Sequence, residues 1–458
     1  MRSKTKEVNM LEGSIGDKTL KFALPLAATG ILQQLFNAAD IAVVGRFVGK
    51  NAMAAVGSNA PLINLIISLF IGISIGANVV IASYTGQRND KAVGRAVHTA
   101  LTVAFISGVL LCLLCEALAE PILGLMSIPE NVFDMSLLYF RVYLLGLPVI
   151  LLYDFASAIF RSRGNTATPL ICLTVSGVIN VGLNLFFVLV LGMTVNGVAL
   201  ATAISNFVSS ALLIFFLAKD EGAVHFSFKK LGVDKRIFIQ MISIGIPAGI
   251  QGMVFSLSNL ILQSAVNRLG EDVMAGSSAA FNIEIFCYYV LNSFGQACTT
   301  FIGQNYGANK PDRCKRVLKI TFLQDMVFTI AIAVIILLTG RYLIALFNSD
   351  PDVIAVGRVR LKFILTAEFI NVIIEILSGY MRGFGYSFVP AVVCMAGICG
   401  VRISWMYAVF MRHQSFSTLM MAYPISWAVT AAALCAAAVY VNKKKLADFY
   451  SGGRSKTV

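Results

Sequence analysis

Charge is scarce in this sequence. Of its 458 residues, only 13% are Asp, Glu, Lys or Arg, against roughly 25% in an ordinary soluble chain. With a hydrophobic share of 58%, that shortage excludes a surface built for water. Histidine is scarcer still: His98, His225 and His413 lie far apart and exclude a histidine-based metal or acid–base cluster. The nine cysteines form no Cys-x-x-Cys or Cys/His pattern, and most sit in apolar runs, as Cys112, Cys115, Cys172, Cys287, Cys394, Cys399 and Cys435 do. They read as reduced, core- or lipid-facing thiols. Gly-x-Gly-x-x-Gly, a phosphate-binding Gly-x-x-x-x-Gly-Lys-[Ser/Thr] loop and a Ser/His/Asp arrangement are all missing, which argues against an enzyme, an organic cofactor and a nucleotide-driven pump. The first twenty residues are polar, with Arg2, Lys4, Lys6, Glu12 and Asp17 and no short apolar leader; the first span is expected to act as its own insertion signal.

What the chain does have is long apolar runs, for example 63–81, 96–115, 142–159 and 320–338. Their length and recurrence make the bilayer the expected solvent. The pattern predicts an all-α integral membrane protein with twelve spans, near 21–45, 53–83, 94–118, 133–159, 168–192, 197–218, 238–267, 274–301, 316–338, 355–381, 388–411 and 416–441. The expected organisation is an N-terminal segment 1–20, a first lobe 21–218, a linker 219–237, a second lobe 238–441 and a basic tail 442–458. The net charge of +13 reflects topology rather than nucleic-acid binding. About 26 of the 36 basic residues fall in alternate segments that include both termini, while the opposite loops hold about eight: Arg46, Lys50, Arg268, Arg341, Arg358, Arg360, Lys362 and Arg412. The positive-inside rule then places both termini and the 219–237 linker in the cytoplasm, as in a bacterial inner-membrane protein. The linker reads either as a hinge strap or as a plain solvated loop.

The halves repeat at an offset of about 220 residues. Pro25 matches Pro247, Ala55 matches Ala275, and Gly86-Gln87 matches Gly303-Gln304. The sharpest repeat is Arg161, Gly164, Pro169 against Arg382, Gly385, Pro390. Six spans per half give both halves the same membrane orientation, an arrangement suited to alternating access.

Ionisable groups at bilayer depth are expensive and mark function by default. Asp40 lies in an apolar stretch of the first span with no cation nearby in sequence. Burial penalises its charged form, so it is expected to bind a proton or a cation. Asn180 and Asn184 are one helical turn apart on the fifth span, and Thr202 opens the sixth. Together the four could form one polar pocket, either an ion or proton site or simple interhelical hydrogen bonding. The second half carries Glu284, Glu368, Glu375 and Arg402; Glu368 and Glu375 share a helix face, and Arg402 is expected to pair with Glu375 or Glu284. Gln34, Asn37, Gln251 and Asn282 join this candidate substrate-cavity or second-lobe polar set, and Asp154 is a weaker candidate near the fourth span's end. Phe36, Met253, Phe255, Phe281, Tyr288 and Tyr289 could line a cavity for flat cations, or pack.

These residues resemble the multidrug and toxic compound extrusion (MATE) family, in its bacterial DinF-like branch. The resemblance covers about 20–440. It rests on Pro25, Asp40, Val43-Val44-Gly45-Arg46, Ala54-Ala55-Val56-Gly57, Gly86-Gln87, the paired Arg-x-x-Gly…Pro motifs, Asn180-x-x-x-Asn184 and Gly197…Ala201-Thr202. It implies a V-shaped bundle of two six-helix lobes and export of organic cations or other amphipathic compounds in exchange for protons or sodium. It marks Asp40, Asn180, Asn184 and Thr202 as the coupling site, able to hold Na+. Two departures matter: the fifth span reads Asn-x-x-x-Asn where the family usually has Asn-x-x-x-Asp, and the seventh span offers Gln251, Ser256, Ser258, Asn259 and Gln263 but no acid. The lost carboxylate favours protons over sodium. The expectation is a monomeric ion-coupled exporter; a lipid or lipid-linked saccharide flippase, or a non-transporting sensor or scaffold, are the alternatives.

Overall fold

A computed structural model describes residues 7–124, 126 and 128–450, with side chains as far as 443. Arg2, Lys4, Lys6, Arg454 and Lys456 lie outside the described residues, as do the side chains of Lys444 and Lys445. Within them the chain is helical: α1 Gly16–Phe47, α2 Lys50–Gly86, α3 Asp90–Gly124, α4 Glu130–Leu145, α5 Leu147–Ser162, α6 Ala167–Leu185, α7 Val195–Ala218, α8 Lys235–Asn267, α9 Glu271–Gly307, α10 Pro311–Ala345, α11 Pro351–Gly383, α12 Phe388–Cys394, α13 Val401–Trp405, α14 Phe416–Met420 and α15 Ala422–Tyr450. Wider π-helical stretches continue α6 over Phe186–Val190 and flank α13 at Met395–Gly400 and Met406–Phe410.

These elements make the twelve spans expected. Nine are long and apolar enough to cross a membrane by themselves, and α4 with α5, bent by 48°, forms a tenth. The bend falls at Gly146. The other two, α9 and α11, run for 37 and 33 residues and carry Glu284, Arg360, Glu368 and Glu375. In hydrocarbon the helix satisfies every backbone group internally, which is why apolar runs of this length adopt it. Pro25, Pro61 and Pro247 sit inside helices, as membrane spans tolerate. α11 starts sharply: Pro351 opens it, and the Asp350 carboxylate accepts from Asp352 N at 2.8 Å.

The chain divides into two compact units. The first is built on residues 28–242. There α3 and α7 pack on α5, α2 on α4 and α5, and α6 on α7, around a core of Val44, Ala55, Ala119, Leu123, Phe140, Leu147, Val195 and Val198. The segment 219–234 is docked on α3. Arg95 pairs with Asp234 at 2.9 Å, Ser227 N donates to His98 Nε2 at 3.1 Å, Gly232 N donates to Thr102 Oγ1 at 3.2 Å, and Phe226 stacks on His98. The second unit is built on residues 9–27 and the chain from 243 onward. Its centre is α9 against α11, with α10 and α15 alongside. The approach of α9 and α11 requires glycine: a Cβ on Gly379 would press on the Gly295 carbonyl oxygen. Leu262, Ile374, Met381, Cys394, Leu419 and Leu434 fill one part of that unit's core.

Candidate functional site

The predicted first-unit residues meet. Asp40 is 6% exposed. Asn184 Nδ2 donates to its Oδ1 at 2.5 Å, and Thr202 Oγ1 lies 3.1 Å from its Oδ2. Asn184 Nδ2 also donates to Asn180 Oδ1 at 3.2 Å, and Asn180 Nδ2 to Thr202 Oγ1 at 3.5 Å. Three helices thus close a ring of four side chains. The Thr202 hydroxyl has one proton and two acceptors in reach, Asp40 Oδ2 and the Val198 carbonyl at 3.0 Å. Asn184 Oδ1 is buried without a partner among the described residues, an arrangement that costs about 1–3 kcal/mol. No cationic side chain pairs with Asp40 among the described residues. Gly177, on α6, lets α1 approach: a Cβ there would overlap the Phe36 ring. Gln34 is half-buried on α1, and Asn37 is exposed.

The second-unit set does not form one cluster. Arg402 pairs with neither Glu375 nor Glu284, correcting the sequence expectation. Glu284 belongs to Arg360, whose Nη2 donates to Oε1 at 2.6 Å and whose Nε reaches both carboxylate oxygens at 3.1 and 3.2 Å, while its Nη1 donates to Ser277 Oγ at 2.8 Å. Arg360 itself was assigned to an outer loop; it is 4% exposed inside α11. That helix begins at Pro351, so Arg358, Arg360 and Lys362 are helical rather than loop residues. Arg402 instead donates from Nη1 to Asn259 Oδ1 at 3.1 Å and from Nε to Ser426 Oγ at 3.2 Å, over the Tyr423 ring at 4.2 Å. Glu368 accepts from Asn371 Nδ2 at 3.0 Å, and Gln251 accepts from Arg382 Nη2 at 2.8 Å. Asn282 is half-buried and donates to the Ser278 carbonyl of its own helix.

Two features escaped the sequence reading. Asp325 on α10 is fully buried; its Oδ1 accepts from Thr329 Oγ1 at 3.0 Å and its Oδ2 has no partner among the described residues. It lay inside an apolar run and was passed over. The second is an extension of the repeat. Asp154 precedes Arg161 by seven residues, and Glu375 precedes Arg382 by the same seven. Each acid lies in electrostatic reach of its arginine, and Nε of both arginines is buried without a partner. The repeat offset already held this signal.

A polar ring centred on one carboxylate, enclosed by apolar spans in one of two repeated halves, belongs to a multi-pass membrane protein with the build of a carrier. The MatE family model matches residues 25–186 and 247–408, two stretches of equal length, one in each half. The chain therefore belongs to the MatE, or multidrug and toxic compound extrusion, family. It is 29% identical over 436 residues to the probable multidrug resistance protein YoeA of Bacillus subtilis, with 93% of each chain covered. It is 27% identical to the probable multidrug resistance protein NorM of Thermotoga maritima, covering 85% of this chain and 84% of that one. Among solved structures, a MATE in complex with MaL6 superposes with a TM-score of 0.89 at 20% identity, covering 97% of this chain and all of that one. An outward-facing multidrug resistance MATE transporter gives the same score. Members of this family are transporters, not enzymes.

Proposed function

We propose that the chain is a secondary multidrug efflux transporter that exports amphipathic small molecules in exchange for an inward-moving proton, with Asp40 as the coupling carboxylate. Asn180, Asn184 and Thr202 hold it. The observation that carries this reading is a buried carboxylate whose only close partners among the described residues are an amide and a hydroxyl. In apolar surroundings such a group gains by taking up a cation.

The proton is favoured over sodium by the donor inventory. With Asp40 ionised, the single Thr202 hydroxyl proton faces two acceptors, Asp40 Oδ2 and the Val198 carbonyl. A protonated Asp40 donates from Oδ2 to Thr202 Oγ1, and the Thr202 proton goes to the Val198 carbonyl, so both acceptors are served while Oδ1 keeps its bond from Asn184 Nδ2. Loading the proton thus rewrites the hydrogen bonds between α1 and α7, and that bias feeds alternating access. A sodium ion would have to draw on one carboxylate and neutral oxygens alone. Basic residues on alternate segments, among them Arg88, Lys91, Arg95, Lys310, Arg313 and Lys319, support both termini in the cytoplasm of a bacterial inner membrane. The transporter acts as a monomer in this reading.

The test is purified protein in liposomes with proton and sodium gradients imposed separately, followed by efflux of a panel of cationic dyes. Proton-driven efflux in the wild type and its loss in Asp40→Asn, with expression and melting preserved, is the expected result. Full gradient-driven efflux by Asp40→Asn refutes the assignment.

A further inference from the structure

The first unit gathers the first, fifth and sixth spans (α1, α6, α7) around a carboxylate. The second unit gathers the seventh, eleventh and twelfth (α8, α13, α15) around Arg402. The family matches make α1 and α8, and α6 and the span of α13, corresponding elements of the two repeats, and α7 and α15 follow them in the same chain order. One three-helix arrangement therefore occurs twice, with the sign of its charge inverted.

Arg402 is held but not neutralised. It is 5% exposed, and both of its acceptors, Asn259 Oδ1 and Ser426 Oγ, are uncharged. Its Nη2 makes no hydrogen bond among the described residues, and no carboxylate lies within 4.0 Å of it. No charged group around it pairs with it among the described residues. Arg360 lies 5.8 Å over the same Tyr423 ring and repels it; Glu284 is engaged by Arg360; Glu375 sits by Arg382; Glu368, which takes a hydrogen bond from Asn371, acts on Arg402 only through space, without an ion pair. A buried guanidinium normally has a paired anion, because the desolvation cost otherwise stands uncompensated. The π-helical stretches on both sides of α13 are of the kind that recurs at functional positions. Nε and one N–H of Nη1 are used, which leaves the Nη1/Nη2 edge, the fork that takes two oxygens of a carboxylate or phosphate. The Tyr423 ring, with Trp427 edge-on beside it at 5.9 Å between centroids, surrounds the guanidinium with buried aromatic side chains.

We propose that Arg402, seated by Asn259, Ser426 and Tyr423, is an anion-recognition site for a substrate carrying a carboxylate or phosphate on an aromatic or apolar body. This rests on the efflux reading and narrows its substrate class to acidic or zwitterionic amphiphiles. The first unit handles the coupling cation and the second reads the substrate's anion.

The experiment titrates full-length protein, in nanodiscs of zwitterionic lipid, with a fluorescent naphthalene carboxylate and with its methyl ester. The acid is expected to bind about tenfold tighter than the ester, the usual worth of one charge-assisted pair. Arg402→Gln should bring the acid-to-ester ratio to about one, and Arg402→Lys should recover part of it. Glu368→Gln removes a competing carboxylate and should tighten the acid; weaker acid binding there overturns the proposal. Equal binding of acid and ester by the wild type also overturns it, whether or not the Arg402 variants fold. Phosphatidylglycerol added to the nanodiscs displaces the acid if the site belongs to a lipid headgroup, which overturns the substrate assignment. Wild-type efflux of the trimethylammonium analogue, measured in parallel, separates the two readings: efflux without acid preference defeats this inference alone, and acid preference without efflux defeats the transport reading while the anion site stands.

Discussion

Asp40 on α1 and Asn184 on α6, 144 positions apart in the chain, meet through Oδ1 and Nδ2 at 2.5 Å. In the proposed mechanism this contact sets the ion chemistry, because the residue facing the carboxylate is an amide. Asn184→Asp puts a second carboxylate there. Two like charges at this distance in a dry site need a counterion, so the variant is expected to gain sodium-stimulated dye efflux at constant pH. An unchanged sodium response would show that the fifth-span position does not choose the ion.

Thr202→Val keeps the shape and removes the hydroxyl 3.1 Å from Asp40 Oδ2. Losing one hydrogen bond to a charged group costs about 1.5–3 kcal/mol. Proton-driven efflux should fall about tenfold or more, with the thermal midpoint of the purified protein little changed. Wild-type efflux in this variant would mean the hydroxyl serves the Val198 carbonyl instead.

Gly177→Ala tests the packing beneath the site. The new methyl overlaps Phe36, four residues before Asp40, so α1 or its ring must move. Overpacking of this kind costs about 1–3 kcal/mol. Reduced thermal stability together with weakened coupling is expected. An unaltered melting curve would show that the Phe36 ring swings away freely.

Glu284→Gln strands Arg360, which is 4% exposed inside α11. Breaking one side of a buried pair costs about 3–5 kcal/mol, whereas replacing both sides with apolar groups is often neutral. The single variant should melt well below wild type, and the double variant Glu284→Met/Arg360→Met should regain most of the loss. A double variant no better than the single would assign the pair a role beyond packing.

How much of this was legible follows from what a sequence displays. Asp40, Asn180, Asn184 and Thr202 stood out because polar residues are conspicuous in apolar runs, and Asn180 and Asn184 share a face by spacing alone. The helix count was legible for the same reason: length and hydropathy are local properties. Partner choice is not local. Arg402 announces that it needs company, but only the packing of α8, α13 and α15 shows that the company is neutral. Arg360 was misplaced because three bases within five residues look like a solvated loop, and nothing local reveals that α9 brings Glu284 against one of them. Asp325 was missed for the opposite reason, a single acid surrounded by a strongly apolar run.

The π-helical stretch at Phe186–Val190 begins two residues beyond Asn184. A turn of that width takes up one residue more than an α turn. Residue-to-residue length in this span is consequently not fixed to a single number. Deleting one residue between 186 and 190 would tighten the turn to regular α geometry while leaving Asn180 and Asn184 aimed where they are and the stretch leading to Val195 in register. The polar ring of Asp40, Asn180, Asn184 and Thr202 is in this way insulated from the loss of one residue on its far side.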